Sequence, residues 1–191
     1  MTVTEHVIEG FGGVQLAVRE HGDATHGPTV VLVHGYPDNQ RVWDLVAVRL
    51  ATDHHVVTYD VRGAGRSSAP TDKASYKIDA LIADLVAIVD AAAPDRNVHL
   101  VGHDWGSIQS WAAVTDPVAQ RRIASFTSIS GPSLDHAGRW IKAHRRPGKH
   151  RWRRLARQAA HSWYVYAFHT PLAAVAWRRG LARMWPEIVA R

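Results

Sequence analysis

A carboxylate set between two glycines, in Gly102-His103-Asp104-Trp105-Gly106, is the feature of this chain best suited to covalent chemistry. The apolar run Val98-His99-Leu100-Val101 before it is short enough for a buried strand, and Ser107 to Val114 after it reads as a helix. Asp104 therefore falls on a strand-to-helix turn. The central residue of such a turn is held in a strained backbone conformation, and larger neighbours would collide with strand or helix, so Gly102 and Gly106 supply the space. A serine at this point needs a base before it can attack. An aspartate is already ionised at neutral pH and can attack carbon directly, forming an ester. The competing reading is an ordinary helix N-cap, for which Asp is among the commonest residues.

Two upstream segments fall in the order needed to serve that turn. Thr29-Val30-Val31-Leu32-Val33 reads as a buried strand, and His34-Gly35-Tyr36-Pro37-Asp38 as a tight loop that can aim a backbone N–H at Asp104. Val56-Val57-Thr58-Tyr59-Asp60 is a further strand, followed by the glycine-rich turn Val61 to Ser68, where Gly63 and Gly65 mainly break structure. Strands are expected near residues 3–9, 14–20, 29–34, 55–60, 97–102 and 123–130, and helices near 40–50, 76–92 and 105–115. Ile78, Leu81, Leu85 and Ile88 share one face of the second helix, which should pack on the sheet. Strands alternating with helices imply a mostly parallel sheet.

With His34, Gly35 and Pro37 forming H-G-x-P and residues 102–106 forming G-H-D-W-G, the chain resembles the α/β-hydrolase superfamily, specifically its epoxide hydrolases, over residues 14–135 in continuous order. Within that group it is similar to bacterial epoxide-hydrolase-like domains that sometimes precede a short-chain dehydrogenase domain. The resemblance implies an α/β-hydrolase fold, a mostly parallel sheet with helices on both faces. It divides the chain into a core over 1–135 and the start of a basic helical cap over 136–191. It also implies a small-molecule epoxide substrate, with no cofactor and no metal. Attack by Asp104 would open the strained ring to an alkyl-enzyme ester, given a group that protonates the departing oxygen. The oxyanion formed when that ester is hydrolysed would meet the N–H of Trp105, at the helix start, and the N–H of Tyr36. One such donor contributes roughly 3 to 4 kcal/mol in the transition state.

Haloalkane dehalogenases also use Asp followed by Trp and are the nearest alternative, but they typically carry Asn where this chain has Tyr36. A serine esterase or cofactor-free perhydrolase would need Ser at position 104. In epoxide hydrolases of this type a cap tyrosine donates its phenol O–H to the epoxide oxygen, commonly within Tyr-x-x-x-Phe-Gln-x-Pro. This chain has Tyr164-Val165-Tyr166-Ala167-Phe168-His169-Thr170-Pro171, which makes Tyr164 the oxirane donor and places His169 where Gln is usual. Trp163, Tyr164 and Phe168 would equally line an aromatic helix face packed on the body.

The resemblance also requires a histidine base after the last strand and an acid on a preceding loop. Of the 13 histidines, His136, His144, His150, His161 and His169 follow the helix after Asp104, and all lie in or around the cap. Asp135 and Glu187 are the only acids past residue 116, and no core strand follows residues 123–130. His99 and His103 are four apart, a spacing that faces side chains together on a helix but not on a strand and turn, so their role reads as structural rather than metal-binding. A sheet of this kind with its cap usually needs about 250 to 300 residues. At 191 residues the chain therefore reads as C-terminally truncated, carrying the nucleophilic half of a site whose turnover is doubtful. The sixth strand would then be an open edge, favouring association with a missing C-terminal half or with itself.

Composition describes a soluble α/β protein, 46% hydrophobic and 21% charged, enough for a core and a solvated surface. Cysteine is absent, residues 1–10 alternate like an edge strand rather than a secretion signal, and His169 and Pro171 interrupt the apolar stretch 163–177. These point to a cytoplasmic protein with no membrane span. Charge is split sharply. Residues 1–135 hold 10 Lys+Arg and 16 Asp+Glu, net −6, whereas residues 136–191 hold 13 and 1, net +12. The favoured reading is a basic excursion covering the acidic body by charge complementarity. The other is a catalytically inactive chain whose basic cap, with Trp140 and Trp152 interleaved, binds an anionic surface; nucleic acid is the less favoured partner.

Overall fold

The computed structural model describes residues 2–25, 27–144, 149–163, 170–181 and 183–184. Six strands form one sheet: Val3–Glu9 (β1), Gln15–His21 (β2), Thr29–Val33 (β3), His55–Tyr59 (β4), Val98–His103 (β5) and Ile123–Ile129 (β6), in the order β1-β2-β4-β3-β5-β6. β3 and β4 are buried at every position. Their Val, Thr and Tyr residues suit a pleated strand enclosed on both faces, which is why both segments read as continuous apolar runs. β3 pairs in parallel with β4 and β5, and β5 with β6. β1 and β2 form an antiparallel hairpin joined to β4. Among the described residues β6 pairs only with β5, and most of its length is exposed.

Three helices flank this sheet: Asp44–Leu50 (α1), Ile78–Ala92 (α2) and Trp105–Ala113 (α3). The two-residue period of a strand sends alternate side chains to opposite faces. Val31 and Val33 of β3 join Leu85, Ile88 and Val89 of α2 and Ala113 of α3 in one apolar cluster. Val30 and Leu32 turn the other way, into a cluster with Trp43 and Ala47. The core thus has helices on both faces of the sheet.

Two expected helices differ in detail. The segment near 40–50 opens as a 3-10 turn, Gln40–Trp43, capped by Asn39 accepting from the Arg41 N–H, before α1 begins. The segment near 76–92 likewise starts after a 3-10 turn, Lys73–Tyr76. The buried face of α2 is Ala80, Asp84, Leu85, Ile88, Val89 and Ala92, with Ile78 and Leu81 only half-buried. The helix is rotated from the purely apolar expectation because Asp84 must face inward. Its carboxylate receives Arg62 Nε and Nη2, both at 2.6 Å, and the Phe11 N–H at 2.8 Å. Both side chains of this ion pair are 2% exposed.

The chain divides into two compact units, Met1–Leu134 and Asp135–Arg191. The second contains most of Leu134–His144 (α4), then Lys149–His161 (α5) and a short helix, Pro171–Ala176, running into a π-helical turn at Trp177–Leu181. No described helix is long and apolar enough to cross a membrane.

Candidate active site

β5 delivers the chain to Asp104 and α3 carries it away, and the backbone between them is strained as the sequence predicts. Asp104 has φ 54° and ψ −122°. For a residue with a side chain, such a conformation costs of order 1–3 kcal/mol and persists only where its surroundings impose it. The Asp104 N–H donates to the Ile129 carbonyl of β6 at 2.9 Å, and the Asp104 carbonyl accepts from the Ile108 N–H at 3.1 Å. Glycine allows the close approach. A Cβ on Gly102 would lie 2.6 Å from the Gly106 carbonyl oxygen, and one on Gly106 would lie 2.2 Å from that of Val33.

Asp104 occupies the N-cap position of α3, yet its side chain makes no cap hydrogen bond. Its Oδ1 instead accepts the Tyr36 N–H at 3.0 Å. That contact separates the elbow from an ordinary N-cap, whose oxygen would bind an N–H of its own helix. Trp105, half exposed, is the first residue of α3, so helix geometry leaves its N–H without an intrahelical acceptor. Asp104, Tyr36, Trp105 and the glycines thus converge. Tyr164 and His169 lie outside the described residues.

The loop holding Tyr36 is fixed from behind by His34. Its Nδ1 donates to the Gly35 carbonyl at 2.8 Å and its Nε2 accepts the Val61 N–H at 3.0 Å, an arrangement only the neutral ring can make. Burial pushes the His34 pKa below the ordinary histidine value, and burial does the same to His21. Gly35 then passes so near that a Cβ there would lie 2.4 Å from Asp104 Oδ1. Pro37 follows through a cis peptide and is exposed. Burial raises the Tyr36 phenol pKa, so this group stays protonated beside the site. His103 meets Trp43 edge to face at 6.3 Å, and His99 Nδ1 bonds Ser125 Oγ at 2.7 Å, consistent with structural roles for both.

The two buried histidines set a pH dependence. Their folded pKa values lie below the unfolded value of about 6.5, so as pH falls the unfolded chain takes up protons first. Stability is complete above about pH 6.5 and declines below it. Melting temperatures measured from pH 7.5 down to 5.5 should fall steadily, with a shallower slope in His34→Gln. A flat profile would contradict the neutral, doubly bonded ring.

Several bracing residues were not singled out by their types. Asp60 is 3% exposed, and its carboxylate accepts the Gln40 and Arg66 N–H groups, both at 2.8 Å, tying the loops after β3 and β4 together. Gly65, with φ 50°, closes on it where a Cβ would lie 2.1 Å from Asp60 Oδ2, so this glycine does more than break structure. Ser107, Ser128 and Trp111 gather around the Gly131 carbonyl, and a Cβ on Gly131 would lie 2.3 Å from the Asp104 carbonyl oxygen. The only sequence signal for these contacts was an acid ending a strand and small residues beside one.

Residues 28–168 match the family described as alpha/beta hydrolase fold. The chain is 39% identical over 170 residues to a "Probable oxidoreductase EphD" of Mycobacterium tuberculosis, covering 88% of this chain and 28% of that protein. It is 38% identical over 136 residues to "Epoxide hydrolase A" of the same species, covering 70% and 40%. The crystal structure of an epoxide hydrolase from Vigna radiata superimposes with a TM-score of 0.63 at 30% identity, over 69% of this chain and 41% of that one. The chain thus spans less than half the length of these relatives. With the elbow, the loop that serves it and the sheet order in agreement, the chain belongs to the alpha/beta hydrolase fold family and within it is epoxide-hydrolase-like.

Proposed function

We propose that the chain carries the nucleophilic part of an epoxide hydrolase, with Asp104 as the attacking group and a small-molecule epoxide as substrate. The observation that carries this reading is the 3.0 Å hydrogen bond from the Tyr36 N–H to Asp104 Oδ1. It holds the Asp104 side chain at the elbow and leaves a backbone donor aimed at the oxygen that gains charge when an ester on Asp104 breaks down. An Asp104 oxygen attacks a ring carbon, the C–O bond of the ring breaks, and the departing oxygen takes a proton from a donor, assigned here to Tyr164. The Trp105 N–H is the second oxyanion donor. Residues 136–191 form the beginning of a basic cap. Tyr36, in place of the Asn typical of haloalkane dehalogenases, favours an epoxide over a carbon–halogen bond.

A reactive aryl epoxide should add once to the protein, on the peptide containing Asp104, as seen by intact-mass spectrometry after rapid quenching. Asp104→Asn should abolish the adduct and Tyr164→Phe should slow it by about 100-fold or more, the usual scale for losing an acid–base group. An ester that persists without diol means that the chain lacks an effective base, and steady diol release means that it contains one. An unmodified Asp104 in folded protein overturns the proposal.

A further inference from the structure

We infer that α5 docks this protein on an anionic phospholipid surface. The helix spans thirteen residues, about 20 Å, and its two sides differ in kind. Trp152, Leu155, Ala156 and Ala159 recur at i, i+3, i+4 and i+7 and so form one apolar stripe, while Arg153, Arg154 and Arg157 lie off it. Trp152 is 60% exposed and all three arginines are exposed. Acidic residues are absent from α5, and residues 136–191 carry 13 basic against 1 acidic residue.

The combination selects the partner. A polyanion such as DNA would engage only the arginines and leave the tryptophan stripe in water. A bilayer interface takes both, because the stripe enters the acyl boundary while the long arginine stems let their guanidinium groups reach the headgroup phosphates. Anionic headgroups supply the complementary charge. α4 repeats the pattern in weaker form, with exposed Leu134, Trp140 and Ile141 beside Arg139 and Lys142. A lipid surface is also where apolar epoxides would be concentrated, although docking does not depend on Asp104 chemistry.

The full chain should co-sediment with vesicles containing about 30 mol% phosphatidylserine, bind phosphatidylcholine vesicles at least tenfold more weakly, and lose affinity as salt is raised. Arg153→Glu, Arg154→Glu and Arg157→Glu combined should reduce binding at least tenfold. Trp152→Ser, which changes no charge, should also weaken it several-fold, and Asp104→Asn should bind like the parent. Circular dichroism establishes that each variant keeps its helices. Three results would overturn the inference: no vesicle binding, vesicle binding indifferent to Trp152→Ser, or tighter binding to duplex DNA than to the anionic vesicles. Absent vesicle binding together with a melting temperature lowered by charge reversal would instead assign the arginines to the protein's own acidic surface.

Discussion

Arg62→Ala is expected to lower the unfolding free energy by about 3–5 kcal/mol, the cost of leaving one member of a buried ion pair without the other. Most folded domains have only about 5–15 kcal/mol to lose. The guanidinium forms two bonds to Asp84 and also donates to the carbonyls of Ser75, at 2.7 Å, and Phe11, at 2.9 Å. One side chain thus joins the glycine-rich loop, the turn after β1, the 3-10 turn at Lys73–Tyr76 and α2. Arg62→Lys should also destabilise, since an ammonium cannot reproduce the planar two-pronged contact. Pairing Arg62→Met with Asp84→Leu should recover part of the loss by removing both charges. Urea denaturation of the four proteins checks this. A loss below about 1 kcal/mol in Arg62→Ala would mean that water or a rearranged loop replaces the pair.

Gly35→Ala is expected to separate reactivity from folding. The added Cβ would lie 2.4 Å from Asp104 Oδ1, 2.5 Å from Asp104 Cβ and 2.8 Å from the His103 carbonyl oxygen. Such distances force movement, and the carboxylate is the freer of these groups to move. Displacing it breaks the bond from the Tyr36 N–H, and a misplacement of about 1 Å costs about 100-fold in rate. The rate of epoxide adduct formation should therefore fall about 100-fold, whereas stability should drop by about 1–3 kcal/mol, the usual cost of overpacking. Gly138→Ala is the control, since a Cβ there meets nothing within 4 Å. Adduct formation within a few-fold of the parent in Gly35→Ala would show that the loop yields instead, and that the Tyr36 contact does not control attack.

The sequence by itself determined the order of strands and helices, the position of Asp104 and the loop that would face it. Those features are local. β3 and residues 56–59 of β4 announce themselves as enclosed strands because their residues are apolar, aromatic or β-branched. Gly102 is required by a clash with the next turn of chain, although Gly106 answers to the Val33 and His34 carbonyls of a distant segment. The regular helices begin later than the apolar period suggests, because the side chains of Asn39 and Asp72 cap 3-10 turns at Gln40–Trp43 and Lys73–Tyr76 ahead of them. What Asp104 does with its carboxylate was open in the sequence, because an N-cap and a nucleophile use the same residue at the same place. The tertiary structure removes the cap from that pair, because it leaves the Asp104 side chain without a cap hydrogen bond and brings Tyr36 across 68 positions to its oxygen. It also decided the rotation of α2, through the pairing of Asp84 with Arg62 across 22 positions, and the neutral state of His34, through Val61 across 27. Hydrophobic periodicity records which side of an element avoids water, but a buried polar group is defined by its partner, and that partner is fixed only when distant segments pack.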